Sequence, residues 1–273
     1  MTTKTKQTAW NTRLRWIAVA LTTLLLLILL VLALIPQQPS DTGGLRPNPY
    51  GAADFGYENG YLTCLTGESW LGIDVSHHQG EIDWQQVAGA GVKFAMIRLG
   101  NRTVKDGLLK EDRYGRANLV QAQNAGLKVG VYFYSQAVSV EEPQEEARYL
   151  LELLDGAALQ MPVVFDWEVY SDTGRTANVD GETLNACAVA FCEIIRDAGY
   201  APMVYFNKDI SRRLLDLEQM QRMGYRFWFA HYTDQMTFPH WVDMWQYTES
   251  GQVPGIDTPV DLNLYLLSEG KSD

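Results

Sequence analysis

From residue 70 onward the sequence alternates short β-type runs with helical stretches, and that alternation narrows the possible folds more than any other feature. WLGIDVS (70–76), FAMIRLG (94–100), KVGVYFYS (128–135), PVVFDWEV (162–169) and APMVYFN (201–207) are rich in β-branched and aromatic residues. Helical stretches lie between them at 83–91, 112–125, 141–155 and 181–198. Pro143 sits in the first turn of the third, and Gly126 and Gly199 close the second and fourth. A helix in each connection is the pattern of right-handed βαβ units in a parallel sheet. The later runs RFWFAHY (226–232), VDMWQYT (242–248) and PVDLNLYL (259–266) are joined by proline-containing loops of about ten residues. Those are too short for a helical crossover, so antiparallel pairing is expected there. The reading is an α/β chain forming a TIM-like β/α barrel of about eight strands and five helices, irregular in its last third. A doubly wound open sheet is the fallback, although nothing resembles a Gly-rich dinucleotide loop.

Before this domain comes WIAVALTTLLLLILLVLALI (16–35), twenty residues without a charge. As a helix it would be about 30 Å long, the thickness of a bilayer's hydrocarbon core. Lys4, Lys6, Arg13 and Arg15 lie only on its N-terminal side, which by the positive-inside rule stays cytoplasmic. The sequence therefore divides into a basic tail (1–15), a transmembrane signal-anchor (16–35), an extracytoplasmic linker (36–69) and the β/α domain (70–273). The linker is rich in proline and glycine, with packing onto the domain expected near residues 57–65. A cleavable signal peptide is the competing reading, with Val31-x-Ala33 a weak processing site, and either reading exports the domain.

All 33 acidic residues lie beyond residue 35, as do all but four of the 22 basic ones, so that part of the chain carries a net charge of about −15. Such a surface repels phosphate backbones, which argues against nucleic-acid binding. Cys64, Cys187 and Cys192 make no disulfide framework, and the last two fall in an apolar helical stretch that suits buried thiols. His77 and His78 are adjacent, but no HExxH or Cys/His spacing accompanies them, so no metal site is expected.

In parallel barrels reactive groups gather at the C-terminal ends of the strands. Asp74 lies near the end of the first strand, Asp166 and Glu168 near the end of the fourth. Two apart on a strand, Asp166 and Glu168 share a face with Cα atoms about 6.7 Å apart. Like charges so close raise one pKa, leaving an acid near neutral pH, and glycosidic cleavage needs one acid and one carboxylate. The competing reading makes these acids solvated strand ends or ion-pair partners of Arg98. Tyr132, Tyr134, Tyr205, Trp228, Tyr232, Trp245 and Tyr247 fall near expected mouth ends, where flat rings suit stacking on sugars, although strand aromatics commonly belong to the core.

GIDVSHHQGEIDW (72–84), FAMIRLG, GVYFYS (130–135), PVVFDWE (162–168), WFAHY (228–232), MWQY (244–247) and VDLN (260–263) together closely resemble the glycoside hydrolase family 25 lysozymes, in order through residues 70–267. The resemblance implies a flattened β/α barrel and hydrolysis of the β-1,4 bond between N-acetylmuramic acid and N-acetylglucosamine in peptidoglycan. It implies Glu168 as general acid/base, Asp166 as electrostatic partner, and Asp74 and Asp261 as further acidic members. Asp261 stands near the start of its strand, so its place at the mouth rests on the resemblance. Arg98, Tyr132, Trp228 and Gln246 are implied as cleft residues. The family often has a histidine after the tyrosine of GVY, where Phe133 stands here. Neither metal nor organic cofactor is implied, and the partners are glycan strands and, through residues 16–35, a membrane. A chitinase-like hexosaminidase and a non-catalytic wall-binding module on the same fold are the alternatives.

Overall fold

The computed structural model describes residues 44–267. The apolar segment 16–35 and the tail 1–15 lie outside them; among the described residues no helix is long and apolar enough to cross a membrane.

Successive strand residues face opposite ways, and here one set fills the inside of a closed ring while the other meets an outer layer. The ring strands are β3 (Ser69–Val75), β4 (Phe94–Arg102), β6 (Lys128–Ser135), β7 (Val163–Trp167), β8 (Pro202–Asn207), β9 (Arg226–Ala230), β10 (Met244–Gly251) and β11 (Val260–Leu266). They are hydrogen-bonded in that order, and β11 closes onto β3. Phe94, Met96, Val164, Met203, Trp228 and Met244 pack inside. Their neighbours in sequence, such as Ile97, Phe165, Val204, Phe229 and Trp245, pack outward. At Gly72 an added Cβ would lie 2.2 Å from the Phe94 ring, so a side chain there would collide with the filling. A three-residue strand β5 (Leu109–Glu111) pairs with the end of β4.

Six α-helices rather than five are present among the described residues: α1 (Trp84–Gly89), α2 (Gly115–Asn124), α3 (Glu141–Leu154), α4 (Gly181–Asp197), α5 (Lys208–Arg213) and α6 (Leu217–Arg222). The last two are six residues each, too short to show a hydrophobic period. Each carries an N-cap all the same: Asn207 accepts from the Asp209 and Ile210 amides, and Asp216 from the Gln219 amide.

Strand direction departs from expectation in one place. β10 and β11 are antiparallel, as are β11 and β3, but β9 and β10 run parallel without a helix between them. The five residues of β9 cover about 17 Å, and the extended chain of 231–243 reaches about 40 Å, so a plain loop can return to the starting end. That loop provides the outer layer in place of a helix. Phe238 stacks on Phe229 with ring centres 4.4 Å apart, and Met236 and Trp241 are buried.

Residues 45–69 are folded against the ring. The Trp241 amide donates to the Arg46 carbonyl, the Asn48 amide donates to the Pro239 carbonyl, and the Arg46 guanidinium lies over the Trp241 ring at 4.1 Å. β1 (Phe55–Glu58) and β2 (Tyr61–Cys64) form a hairpin. Its turn residues Asn59 (φ 52°) and Gly60 (φ 85°) are both left-handed, the geometry that suits the twist of a two-residue hairpin. Phe55 meets Trp245 edge-on at 5.2 Å, and Leu62 and Cys64 are buried.

Candidate active site

The C-terminal ends of the parallel strands open on a cavity of about 220 Å³. Asp74 and Asp166 come from the ends of β3 and β7, and Glu168 lies one residue past β7. Because β11 runs antiparallel, its beginning lies at the same rim, where Asp261 is paired in register with Asp74. Strand reversal thus brings a fourth carboxyl to the mouth. Arg98, Tyr132, Trp228 and Gln246 also line the cavity, so the eight residues that the family resemblance implies meet there.

A chain of amides orients the first carboxyl. Asp74 Oδ2 accepts from Gln246 Nε2 at 2.9 Å and from Asn263 Nδ2 at 2.7 Å. Gln246 Oε1 in turn accepts from the Tyr205 hydroxyl at 3.0 Å and the Tyr232 hydroxyl at 3.3 Å, and Asn263 Oδ1 accepts from Trp228 Nε1 at 2.8 Å. Each amide therefore has its oxygen occupied by a donor and must present its N–H to Asp74. Asp74 and Asp261 share a hydrogen bond. Burial raises Asp74 against the hydrogen bonds of Asn263, Gln246 and Asp261, and burial with the Asp74 charge pushes Asp261 up to about 9, so the pair shares a proton at neutral pH.

The β7 pair is also shifted. Burial, then the Asp74 charge, lifts Glu168 to about 7. Burial, then the charges of Glu168 and Asp74, raises Asp166 well above the usual carboxylate range. Asp166 Oδ1 is buried and has no hydrogen-bond partner among the described residues. The floor is aromatic: Trp228 packs edge-on to Tyr205 at 5.0 Å and Tyr132 at 5.9 Å. A proton donor poised near neutrality, beside an acceptor lacking a partner and above apolar rings, is equipped to protonate a leaving oxygen.

Arg98 makes its ion pair with Asp112, although its charge still acts to lower Asp166. Its Nε donates to Asp112 Oδ2 at 3.0 Å, its guanidinium also contacts His77 Nδ1, and the Asp112 side chain is fully buried. Burial opposes ionisation of Asp112, but the His77 and Tyr114 amides and the Arg98 charge outweigh it and hold its carboxyl below the usual range.

A sequence profile for Glycosyl hydrolases family 25 matches residues 73–256, two thirds of the chain. The chain belongs to this family. Relatives of this family 25 chain include the uncharacterized protein YegX of Escherichia coli K12, 28% identical over 207 residues that cover 71% of this chain and 68% of YegX. Lysozyme M1 of Streptomyces globisporus is 27% identical over 207 residues, covering 71% and 67%. Among solved structures, the modular autolysin LytC of Streptococcus pneumoniae with a synthetic peptidoglycan ligand superimposes with a TM-score of 0.63 at 25% identity. The match covers 77% of this chain and 50% of LytC, so the chain spans about half the length of that autolysin.

Two aromatic expectations need correction. Trp245 and Tyr247 face outward: Trp245 Nε1 donates to the His231 carbonyl, and the Tyr247 hydroxyl accepts from the Leu62 amide. Strand parity explains this, since Met244 and Gln246 occupy the inward positions. Tyr134, Tyr205 and Tyr232 do line the cavity. Asn263 and Asp112 were not singled out. Asn263 stands two residues after Asp261 and so shares its face, a signal present in VDLN; Asp112 lies before α2 and has no such signature. Among the described residues no group of histidine, cysteine and acidic side chains is arranged to hold a metal ion.

Proposed function

We propose that this chain is a peptidoglycan muramidase that hydrolyses the β-1,4 bond between N-acetylmuramic acid and N-acetylglucosamine. The convergence of Asp74, Asp166, Glu168 and Asp261 in one cavity, with Glu168 lifted to about 7, carries the reading. The family, the lysozyme among its relatives and the peptidoglycan ligand bound by LytC support the substrate class.

Glu168 protonates the leaving oxygen. Asp166 has a buried oxygen awaiting a donor, and the acetamido N–H of the substrate would satisfy it. Held that way, the acetamido oxygen attacks the anomeric carbon as the bond to the protonated leaving oxygen breaks, closing an oxazolinium ring. Water, giving a proton to the now ionised Glu168, then opens that ring, and the two inversions leave the configuration retained. Asp74, fixed by two amides and sharing a proton with Asp261, turns its carboxyl to the developing positive charge on the sugar ring, and Asp261 keeps it in place. Arg98, Tyr132, Trp228 and Gln246 line the sugar cleft. Proton NMR of the first-formed anomer tests the retaining route, and an inverted anomer would exclude it.

Digestion of purified peptidoglycan by residues 36–273, with Glu168→Gln as control, followed by mass spectrometry of the reduced products, tests the activity. New muramitol ends from the wild type alone are expected. Glucosaminitol ends would mean that the other bond is cut. Absence of new ends with the wall still bound would favour a binding module.

On the sequence pattern, residues 16–35 anchor the enzyme with residues 1–15 cytoplasmic and the hydrolase outside, joined by the linker 36–69, whose later part packs on the barrel. Such a tether confines cutting to nearby wall and suits local remodelling. Full activity in the medium, with a new N-terminus near residue 34 or 36, would contradict the anchor.

A further inference from the structure

Glu168 is the first residue past the β6–β7 ladder, whose last register pair is Ser135 with Trp167. No neighbouring strand serves its backbone carbonyl, and an unpaired buried carbonyl is costly. Two buried side chains take the strand's place. Gln136 Nε2 donates to the Glu168 carbonyl at 2.8 Å, and Thr176 Oγ1 donates to it at 3.0 Å. Gln136 is 0% exposed and Thr176 1%.

The Gln136 amide has little choice of orientation. Its nitrogen also faces the Ser135 carbonyl at 3.1 Å and the Tyr134 hydroxyl at 3.3 Å, whereas its oxygen has no partner among the described residues. Turning the amide over would set an oxygen against two carbonyls. Gln136 itself is clamped: Arg175 NH1 donates to its backbone carbonyl at 2.8 Å while the same guanidinium forks onto Glu142 at 2.8 and 2.6 Å. The residue before Glu168 is pinned as well, since Trp167 Nε1 donates to the Ala137 carbonyl at 2.9 Å. Burial and the Asp74 charge act on the Glu168 carboxyl itself.

We propose that Gln136 and Thr176 are positioning residues for Glu168, their joint donation to its backbone carbonyl holding the peptide that aims the acid. The proposal rests on the reading of Glu168 as proton donor. Neither residue reaches the sugar; both act through the direction of the Glu168 side chain, where a displacement of about 1 Å is enough to cost about a hundredfold in rate.

The test uses the wild type, Gln136→Met, Thr176→Val and Thr176→Ser, assayed on a soluble peptidoglycan fragment, with thermal unfolding and a 13C titration of the Glu168 carboxyl run alongside. Methionine and valine keep the shape and remove the donor. Both should lower kcat by about tenfold or more with KM within about twofold. Thr176→Ser, which keeps the hydroxyl, should restore kcat. A released Glu168 swings toward water, so its titration midpoint should fall in both donor-less variants and return in Thr176→Ser. Folded variants with wild-type kcat and midpoint would overturn the proposal, as would a loss of thermal stability with kcat per folded molecule unchanged. If the wild type makes no muramitol ends, the muramidase reading fails and the carboxyl titration still decides the positioning role. Should Gln136→Met not fold, Thr176→Val carries the test alone.

Discussion

Glu168→Gln should make the domain more stable, and by an amount that depends on pH. In the fold this carboxyl is lifted to about 7 from its ordinary value of 4.5, by burial and then by the Asp74 charge. Between those two values the folded chain holds a proton that the unfolded chain has released. Wild-type stability therefore falls as pH rises from about 4.5 to about 7 and levels off above. The difference corresponds to about 3 kcal/mol at 1.36 kcal/mol per pH unit. Glutamine fills the same space and does not titrate, so the variant lacks this loss. Urea unfolding of both proteins at pH 4 and pH 8 reads the effect. At pH 4 the two midpoints should nearly coincide; at pH 8 the variant should be ahead by about 2–3 kcal/mol, with turnover abolished. Parallel stability curves across this range would refute the claim that the fold strains against ionising Glu168.

Two further outcomes follow from the amide chain. Asp74→Asn removes the charge that acts with burial to lift Glu168, so the Glu168 midpoint in a 13C carboxyl titration should move below about 7 by up to about one pH unit; an upward move would contradict the electrostatic account. Asn263→Leu takes one donor from Asp74 and leaves the Trp228 N–H buried without an acceptor. It should destabilise the fold by about 2–4 kcal/mol in chemical unfolding, and a loss under about 0.5 kcal/mol would show that the chain of amides contributes little.

The ring strands and the longer helices were legible because the strands are short runs rich in β-branched and aromatic residues and the helices between them are marked by Pro143 in a first turn and by Gly126 and Gly199 at their ends. Asp166 and Glu168 could be placed on one face by parity alone, with Trp167 turned outward. Strand direction is not a local property. Nothing in RFWFAHY or VDMWQYT says whether the loop between them turns back or crosses over, and the stacking of Phe238 on Phe229 that makes the crossover possible joins residues from separate runs. The place of Asp261 was obscured for the same reason, since a residue at the start of a strand reaches the mouth only if that strand runs backwards. α5 and α6, no shorter than α1, fall between the fifth strand and RFWFAHY, where no helix was expected. The β1–β2 hairpin lay in a stretch rich in proline and glycine whose few apolar residues, Phe55, Leu62 and Cys64, gain meaning only against the outer face of the barrel.

The reversed strand β11 also sets when the site can come into being. It closes the ring and delivers Asp261 and Asn263 in the same step, and Asn263 is one of the two amides that steady Asp74 at the far end of the sequence. A ribosome makes β11 after the other seven strands of the ring, so a growing chain carries Glu168 and Asp166 before the ring that aligns them exists. For an enzyme whose proposed substrate is the polymer enclosing its own cell, the seam between first and last strands acts as a safety catch: the cutting edge is assembled only when the whole barrel is.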